Sequence, residues 1–274
     1  MHFVYKFEAM STPCELHLYT EEKNKADTTA KKVLEEAKRL EKKYNYFSET
    51  SLLSQLNQRT SSKLDTETKT LLQQAKHYYA KTEGIFDVTV ATFKDLYKET
   101  KDSQTLKRKK EILKPYVGCE HFSIKRDKLV FDNPHTKIDL GGFVKEYAVD
   151  RAVQLIKKSK INSALVSFGG DVYALGRKPN GKHFKIGISN PAKPQEALLY
   201  QEIENQALTT SGSYERFYTI EEQNYSHILS KSSSDKEMPR SVTVISPTCL
   251  ESGVYSTALM LNPDLKTKHQ TIML

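Results

Sequence analysis

The chain has 274 residues, of which 42 are lysine or arginine and 34 are aspartate or glutamate, giving a formal net charge of +8 at pH 7. Hydrophobic residues make up 38% of the chain, and 15 tyrosines and 11 phenylalanines exclude wholesale disorder. This length can bury a core without disulfide or metal support. No apolar run approaches the roughly 20 residues of a membrane-spanning helix, so we expect no transmembrane segment.

The positive charge is spread along the chain and is carried mostly by lysine. The densest run, 107–110, lies in a polar stretch with few aromatic residues. That setting favours a solvated surface over a nucleic-acid interface, for which basic and aromatic residues would interleave. We therefore expect no nucleic-acid partner.

The N-terminus has no basic region followed by an apolar stretch, so it does not read as a secretory signal. As the sequence stands, this predicts a cytoplasmic protein. The alternative is a periplasmic or membrane-anchored protein from which a leader has been removed. Cys14, Cys119 and Cys249 are too widely spaced for a disulfide framework or a zinc site, so we expect buried, unreactive thiols.

Hydrophobic periodicity predicts the secondary structure. The predicted elements, in chain order, are strands over 3–19 broken near 10–13, helices over 26–45 and 66–82, an exposed charged stretch over 98–112, a hairpin over 120–133, a helix after the glycines at 141–142, strands over 162–168, 183–189 and 241–246, and a helix over 248–261. Strands and helices do not alternate strictly, which favours an α+β fold with mixed or antiparallel sheets and packed helices over a doubly wound parallel sheet. We expect a single domain over 1–274, with room for two subdomains.

Three glycine turns are candidate phosphate-binding segments. The first, 139–150, reads Asp-Leu-Gly-Gly-Phe-Val-Lys-Glu-Tyr-Ala-Val-Asp and places two glycines before a helix. The free N–H groups and dipole of a helix N-terminus attract phosphate, and Lys145 would add a full positive charge. The second, 167–172, follows a strand, and the third, 209–217, gathers hydroxyl side chains around a glycine. Each is also typical of an ordinary turn, and neither GxxxxGK[ST] nor GxGxxG is present.

Two further features could take part in chemistry. His227, in Tyr-Ser-His-Ile-Leu, is a candidate general base because imidazole titrates near neutral pH. The alternative is a structural or surface histidine. Ser256 and Thr257 lie on the predicted C-terminal helix, where a hydroxyl can also bond back to a backbone carbonyl.

Taken in order, these motifs resemble the ApbE family, the FAD:protein FMN transferases, over about residues 8–262. The matching segments are Ala-Met-Ser-Thr at 9–12, Tyr-Phe-Ser at 46–48, Leu-Asn at 56–57, Gly-Ile-Phe-Asp-Val-Thr-Val at 84–90, the 139–150 segment, Gly-Gly-Asp at 169–171, Thr-Ser-Gly-Ser-Tyr-Glu-Arg-Phe at 210–217, and His227 with the following Ile-Leu. The resemblance lies in their number and order, and it implies an ApbE-like, T-fold-related architecture.

The resemblance implies an enzyme that binds FAD, uses Mg²⁺, transfers FMN to a threonine hydroxyl of a target protein and releases AMP. It implies a catalytic role for His227 at the attacking hydroxyl. The metal would be held by Thr257 and the backbone carbonyl of Val144, with Glu251 as a further candidate. The implied FAD-binding residues are Met10, Tyr46, Ser48, Phe86, Asp87, Gly141, Gly142, Lys145, Asp150, Gly169, Gly170, Asp171, Thr210, Ser211 and Gly212. The alternatives are an FAD-binding protein without turnover and an FAD pyrophosphatase that gives FMN and AMP.

Three places depart from the family pattern. The family has an aspartate four residues before its metal-binding threonine, and this chain has Gly253 there. Glu146 replaces a glycine that follows the lysine of the 139–150 motif. The segment 230–239 replaces the Asp-Pro-Arg-Thr-Gly run expected after the histidine. If the missing aspartate limits the rate, Gly253→Asp is expected to raise magnesium-dependent activity.

Overall fold

The computed structural model describes residues 1–212, 217–221, 223–226, 228–231 and 238–274. Its helices are α1 (Lys23–Tyr44), α2 (Leu52–Asn57), α3 (Thr66–Lys81), α4 (Leu96–Glu99), α5 (Ser103–Leu113), α6 (Gly141–Lys158) and α7 (Cys249–Leu261). Its strands are β1 (His2–Ala9), β2 (Thr12–Tyr19), β3 (Phe122–Lys125), β4 (Lys128–Phe131), β5 (Ser163–Phe168), β6 (Asp171–Leu175), β7 (Phe184–Asn190), β8 (Lys193–Ile203), β9 (Gln206–Gly212), β10 (Phe217–Ile220), β11 (Gln223–Ser226), β12 (Ser241–Ser246) and β13 (Gln270–Met273). Short 3-10 helices lie at Val88–Phe93, Lys114–Tyr116 and Cys119–His121.

Seven strands form the central sheet, in the order β1-β2-β5-β6-β9-β12-β13, and each neighbouring pair is antiparallel. Three separate antiparallel hairpins are formed by β3–β4, β7–β8 and β10–β11. No parallel strand pair occurs among the described residues. The α+β prediction is therefore confirmed, and the doubly wound parallel sheet is excluded.

Helices cover one face of this sheet. Helix α7 packs on β9 and β12, α6 packs on β5 and β6, and α6 lies in contact with both α1 and α7. The buried stripe of α1 includes Val33, Ala37, Leu40 and Tyr44, which recur at the spacing of one helix face. This spacing was the basis for predicting the helix, and the packing against α6 explains why that face is apolar.

The β7–β8 hairpin covers the other face of the sheet. Its Phe184, Ile188 and Ile203 form one apolar cluster with Leu208 of β9 and Ile245 of β12. Strands β6 and β12 are consequently buried at every position. Strand β6 accordingly lacks a regular alternation of polar and apolar residues. Strand β12 keeps the alternation over its first four residues, and its buried Thr243 bonds to Thr210 of β9 at 2.8 Å.

A further apolar cluster lies beside the sheet. It joins the 3-10 helix Val88–Phe93 to α4, α5 and β10 through Phe93, Leu96, Tyr97, Leu106, Val117 and Ile220. Leu106 is the buried residue of α5, so the rest of this highly charged helix faces outward, as its composition indicated. Val90, Tyr218 and Leu229 pack against this cluster and line the cavity described below.

Most of the predicted elements are present, namely those that became β1, β2, α1, α3, α5, β3, β4, α6, β5, β7, β12 and α7. Helices α2 and α4 and strands β6, β8, β9, β10, β11 and β13 were not predicted. The hydroxyl-rich segment 209–217 was interpreted as a turn or a phosphate cradle, but its first residues belong to β9, which ends at Gly212. A strand that mixes threonine and serine with few apolar residues gives only a weak signal.

Among the described residues, no helix is both long and apolar enough to cross a bilayer. Cys14, Cys119 and Cys249 are buried and unpaired, as expected. Burial raises the pKa of the Cys14 thiol to about 11 and that of Cys249 well above its usual value. Since the thiolate is the reactive form, these cysteines are unreactive near neutral pH.

Candidate active site

A cavity of about 930 Å³ opens where the N-terminus of α6 meets the ends of β9 and α7, the turn between β1 and β2, and the segment after α1. This volume lies at the upper end of the range typical of ligand pockets. The cavity brings together most of the residues implied by the family resemblance: Met10, Tyr46, Phe86, Asp87, Gly141, Gly142, Val144, Lys145, Gly169, Asp171, Thr210, Ser211, Gly212 and Thr257.

The N-terminus of α6 forms one wall of the cavity. The residue before the helix is Leu140, and Gly142 has non-helical backbone angles, so the first turn is kinked. The backbone N–H of Gly141 donates to Asp139 Oδ1 at 2.9 Å. The exposed N–H groups and partial positive charge of a helix N-terminus suit a phosphate, and α6 is long enough to have a substantial dipole.

A buried ion pair lies one turn further along α6. Lys145 Nζ pairs with Asp171 Oδ2 at the start of β6, and it lies 3.9 Å from Glu146 Oε1. Burial alone would lower the pKa of Lys145, but Asp171 and Glu146 outweigh burial and raise it. Lys145 therefore remains protonated, and its charge is balanced by these carboxyl groups.

After Asp171, Glu146 is the most deeply buried carboxylate that lines the cavity. Burial is the largest cause that raises the pKa of Glu146, to about 7, and Lys145 opposes this increase. Burial also raises the pKa of Asp171, and again Lys145 opposes it. Two carboxyl groups therefore share one lysine at the base of the cavity.

Hydroxyl groups from β9 and α7 also meet at the cavity wall. Ser211 Oγ lies 2.8 Å from Ser256 Oγ and 3.3 Å from Thr257 Oγ1. Ser256 also donates to the carbonyl of Gly253 at 3.1 Å, which is the structural role considered for a helix-interior serine. Thr257 and Ser211 line the cavity. Hydroxyl oxygens placed in this way can bind a cation or a phosphate-bearing ligand.

Aromatic and basic side chains form the outer rim. Lys94 Nζ lies 4.6 Å from the ring centroid of Tyr46 and 4.5 Å from that of Phe47, and it pairs with Asp139. The hydroxyl of Tyr46 donates to Asp95 Oδ2 at 3.2 Å. Phe47 is 59% exposed. An exposed ring beside a fixed cation provides a surface on which a flat ring system can stack.

Asp87 has a clear structural role at the cavity wall. It accepts hydrogen bonds from Thr89 N at 2.8 Å and Thr89 Oγ1 at 2.6 Å, which cap the 3-10 helix Val88–Phe93. Burial raises its pKa. The ring of the neighbouring Phe86 packs on the ring of Phe143 of α6, and the two ring centroids are 5.8 Å apart. These contacts hold the wall against the N-terminus of α6.

Four of the predicted site residues do not line this cavity: Ser48, Asp150, Gly170 and Glu251. Asp150 instead accepts from the backbone N–H groups of Cys249 and Leu250, at 2.8 Å and 3.0 Å, and so caps α7. Glu251 Oε1 lies 3.1 Å from His269 Nε2. His227 lies outside the described residues, so its catalytic role stays a prediction from the resemblance.

Sequence reasoning overlooked several residues that shape the site. Asn57 clamps the chain before α6: its amide nitrogen donates to the carbonyl of Ile138 and its oxygen accepts from the N–H of Ile138, both at 2.8 Å. A Cβ on Gly169 would lie 2.1 Å from Thr12 Oγ1, so Thr12 explains why only glycine fits there. Asn57 and Thr12 stand inside segments that match the family pattern, so the resemblance could have indicated both residues. Lys94 stands in no motif.

The oxygen ligands in the cavity fit a magnesium ion. Among the described residues, no group of three or more His, Cys, Asp or Glu side chains is arranged to hold a metal. Magnesium does not require such a group, because it commonly binds one or two carboxylates and completes its shell with water and substrate phosphates. Glu146 Oε2 is buried without a hydrogen-bond partner, and Asp171 and Thr257 line the same cavity.

Comparison with known proteins identifies the family to which this fold and cavity belong. The sequence model of the ApbE family matches residues 10–270 of this chain. The chain therefore belongs to the ApbE family. A protein of Chlamydia pneumoniae named FAD:protein FMN transferase is 30% identical over 226 residues, which cover 79% of this chain and 70% of the relative. A relative of the same name in Vibrio cholerae is 28% identical over 227 residues, which cover 78% of this chain and 67% of the relative.

Solved structures confirm the ApbE-like fold. The crystal structure of the ApbE protein of Thermotoga maritima has a TM-score of 0.88 and 25% identity, covering 100% of this chain and 94% of that chain. The flavin transferase ApbE of Vibrio cholerae has a TM-score of 0.82 and 21% identity, covering 100% of this chain and 97% of that chain.

Proposed function

We propose that this protein is an FAD:protein FMN transferase that uses Mg²⁺, transfers FMN to a threonine hydroxyl of an acceptor protein and releases AMP. Membership of the ApbE family supports the class of reaction. The observation that carries the proposal is one large cavity into which the N-terminus of α6, Lys145 and the hydroxyls of Ser211 and Thr257 all open. These groups suit a dinucleotide with a central diphosphate.

The proposed transfer is a substitution at phosphorus. The threonine oxygen forms a bond to the flavin-side phosphorus, the bond from that phosphorus to the bridging oxygen breaks, and AMP leaves with the bridging oxygen. The hydroxyl proton passes to a base, for which His227 is the candidate. Catalysis of such a step depends mainly on positioning and on neutralising the charge that spreads over the phosphoryl oxygens.

The residues divide this work as follows. The first N–H groups of α6 and the ammonium group of Lys145 bind and orient the diphosphate, since both place positive charge on the same side of the cavity. Asp171 holds Lys145 in place through the buried ion pair. Thr257 and a cavity carboxylate would hold Mg²⁺, which when bound supplies charge neutralisation at the phosphates.

Intact-mass spectrometry of an acceptor domain tests the proposal. The acceptor carries the family's threonine motif and is incubated with the protein, FAD and Mg²⁺. We expect its mass to rise by one FMN unit, and we expect an acceptor with Thr→Val at that position to stay unmodified. An unmodified threonine acceptor, under conditions where the protein binds FAD, would contradict transfer.

A second candidate function, FAD binding without turnover, is supported by Gly253, because the family has a metal-binding aspartate at that position. An FAD-binding protein without turnover would keep FAD intact for hours with Mg²⁺ present. A pyrophosphatase would release AMP and free FMN without any acceptor. Nucleotide analysis without the acceptor therefore identifies the pyrophosphatase, and FAD that stays intact in an incubation with the acceptor identifies the protein without turnover.

A further inference from the structure

Glu146 is a buried acidic side chain that lacks a complete set of partners. The residue is 5% exposed and lines the cavity. Its Oε2 atom is buried without a hydrogen-bond partner in the described part of the chain, and its Oε1 atom lies 3.9 Å from Lys145 Nζ. A buried carboxylate oxygen without a partner is costly, so its presence at the wall of a ligand cavity requires an explanation.

Two buried carboxyl groups and one ammonium group meet around Glu146. Asp171 lies beside it and is 2% exposed, and Lys145 is shared between the two carboxyl groups. When both carboxylates are ionised, one lysine leaves one negative charge without compensation. A divalent cation that binds at the cavity wall would remove that excess and provide a partner for Glu146 Oε2.

Gly253 on α7 explains why the carboxylate can sit there. A Cβ atom at position 253 would lie 2.5 Å from Glu146 Cγ and 3.1 Å from Glu146 Cδ. The first distance is too short for carbon atoms that are not bonded to each other, and the second is tight. The Glu146 side chain therefore occupies the space that a larger residue at position 253 would need, and such a residue would have to displace it.

These contacts connect two departures that looked independent in the sequence. Compared with the family pattern, this chain has a carboxylate where a glycine is expected, at Glu146, and a glycine where a carboxylate is expected, at Gly253. The structure places the first directly over the second. A carboxylate on α6 therefore lies against the position on α7 where the family pattern has one.

We propose that Glu146 is the carboxylate ligand of the divalent cation in this protein, and that Gly253 is retained to make room for it. Thr257, one turn after Gly253 on α7, would contribute its hydroxyl from the same side. The inference rests on the proposed function, because the family's magnesium is what the site would hold. It also corrects an expectation from sequence: Gly253→Asp alone should not raise activity, since its side chain collides with Glu146.

Direct measurement of Mn²⁺ binding tests the assignment. Mn²⁺ replaces Mg²⁺ as a probe, and the loss of the free-ion signal in electron paramagnetic resonance reports binding in the presence of FAD and without acceptor. We expect Glu146→Gln, which keeps the shape of the side chain, to weaken Mn²⁺ binding by at least about tenfold, because even outer partners of metal ligands contribute that much. Glu251→Gln serves as the matched control, and we expect it to bind Mn²⁺ as the unmodified protein does.

Exchanging the side chains at positions 146 and 253 gives a sharper test of the assignment. Gly253→Asp alone should bind Mn²⁺ no better than the unmodified protein. The double variant Glu146→Gly/Gly253→Asp should bind Mn²⁺ at least tenfold more tightly than Glu146→Gly, because the carboxylate returns to α7. Circular dichroism and metal-free FAD binding establish that each variant is folded, and Glu146→Gln remains decisive if the double variant does not fold.

Three results would overturn the assignment. They are unchanged Mn²⁺ binding in Glu146→Gln, a loss in Glu251→Gln instead, or a folded double variant that binds Mn²⁺ no better than Glu146→Gly. Because the assay contains no acceptor, it does not depend on FMN transfer. Cation binding through Glu146 without any transfer would leave this inference standing and reject the proposed function.

Discussion

Asp150 is a residue whose ionisation is linked to the stability of the fold. Its carboxylate caps the N-terminus of α7 through two backbone N–H groups, and it does not line the cavity. Burial nevertheless outweighs these bonds and raises its pKa from 3.8 to about 6. The folded chain therefore holds a proton between these two pH values that the unfolded chain has lost.

This shift predicts a pH-dependent contribution of Asp150. Because the folded pKa is raised, the stabilisation from protonation is present below about pH 4 and is lost as the pH rises through about 6. We expect the free energy of unfolding, relative to Asp150→Asn, to fall by roughly 2–3 kcal/mol from pH 4 to pH 7. Urea unfolding of both proteins measures it, and a difference that is flat with pH would contradict the assignment.

At the residue scale, the sequence predicts which residues line the cavity better than it predicts the role of each residue. The glycines at 141–142, Lys145, Asp171 and Thr257 do line one cavity. Asp150 stands in the same motif, yet its contacts are those of a helix cap. The contact between Glu146 and Gly253 could not be predicted, because it joins two helices that are far apart in the chain and depends on the tertiary packing of α6 against α7.

At the scale of elements, Glu67 connects three helices on the outer side of the fold. It lies in the first turn of α3 and accepts from the two terminal guanidinium nitrogens of Arg39, at 2.8 Å and 2.6 Å, and from Lys43 Nζ at 2.7 Å. Arg39 and Lys43 both belong to α1. Tyr147 of α6 donates to Glu67 at 3.4 Å. A two-pronged arginine–carboxylate pair is among the stronger surface ion pairs.

Glu67→Gln is therefore expected to lower the free energy of unfolding by roughly 1–2 kcal/mol at pH 7, since part of the pair is exposed to solvent. Burial would raise the pKa of Glu67, but Arg39 and Lys43 outweigh it and lower the pKa to about 2. Its stabilisation is thus present above about pH 4.5 and lost as the pH falls towards 2. The control is Glu35→Gln, whose exposed pair with Lys31 spans 4.0 Å. Equal effects of the two variants in urea unfolding at pH 7 would contradict the assignment.

Elements with a regular apolar stripe could be predicted from the sequence, and those without one could not. Helix α1 was found from Val33, Ala37, Leu40 and Tyr44, which pack towards α6. Strand β8 escaped detection because it belongs to a hairpin that contacts the sheet through only some of its residues, and Leu198 and Tyr200 are 51% and 56% exposed. An exposed strand has no alternating pattern to detect.

At the scale of the whole molecule, the sheet holds the parts of the site in register. The helices on one face bring the N-terminus of α6 next to α7, while the β7–β8 hairpin seals the other face. The class of fold followed from the mixed order of strands and helices. The order of strands in the sheet did not, because pairs such as β2 with β5 are formed between segments that are distant in the chain.

The most direct test of the account is a time course that follows both products of one reaction. The protein is mixed with FAD, Mg²⁺ and a threonine-bearing acceptor domain, and AMP release is measured alongside FMN attached to the acceptor. The account predicts that the two rise together in equal amounts. AMP released in excess over attached FMN, with free FMN accumulating, would mean hydrolysis, and bound FAD that stays intact beside an unmodified acceptor would contradict the proposed function.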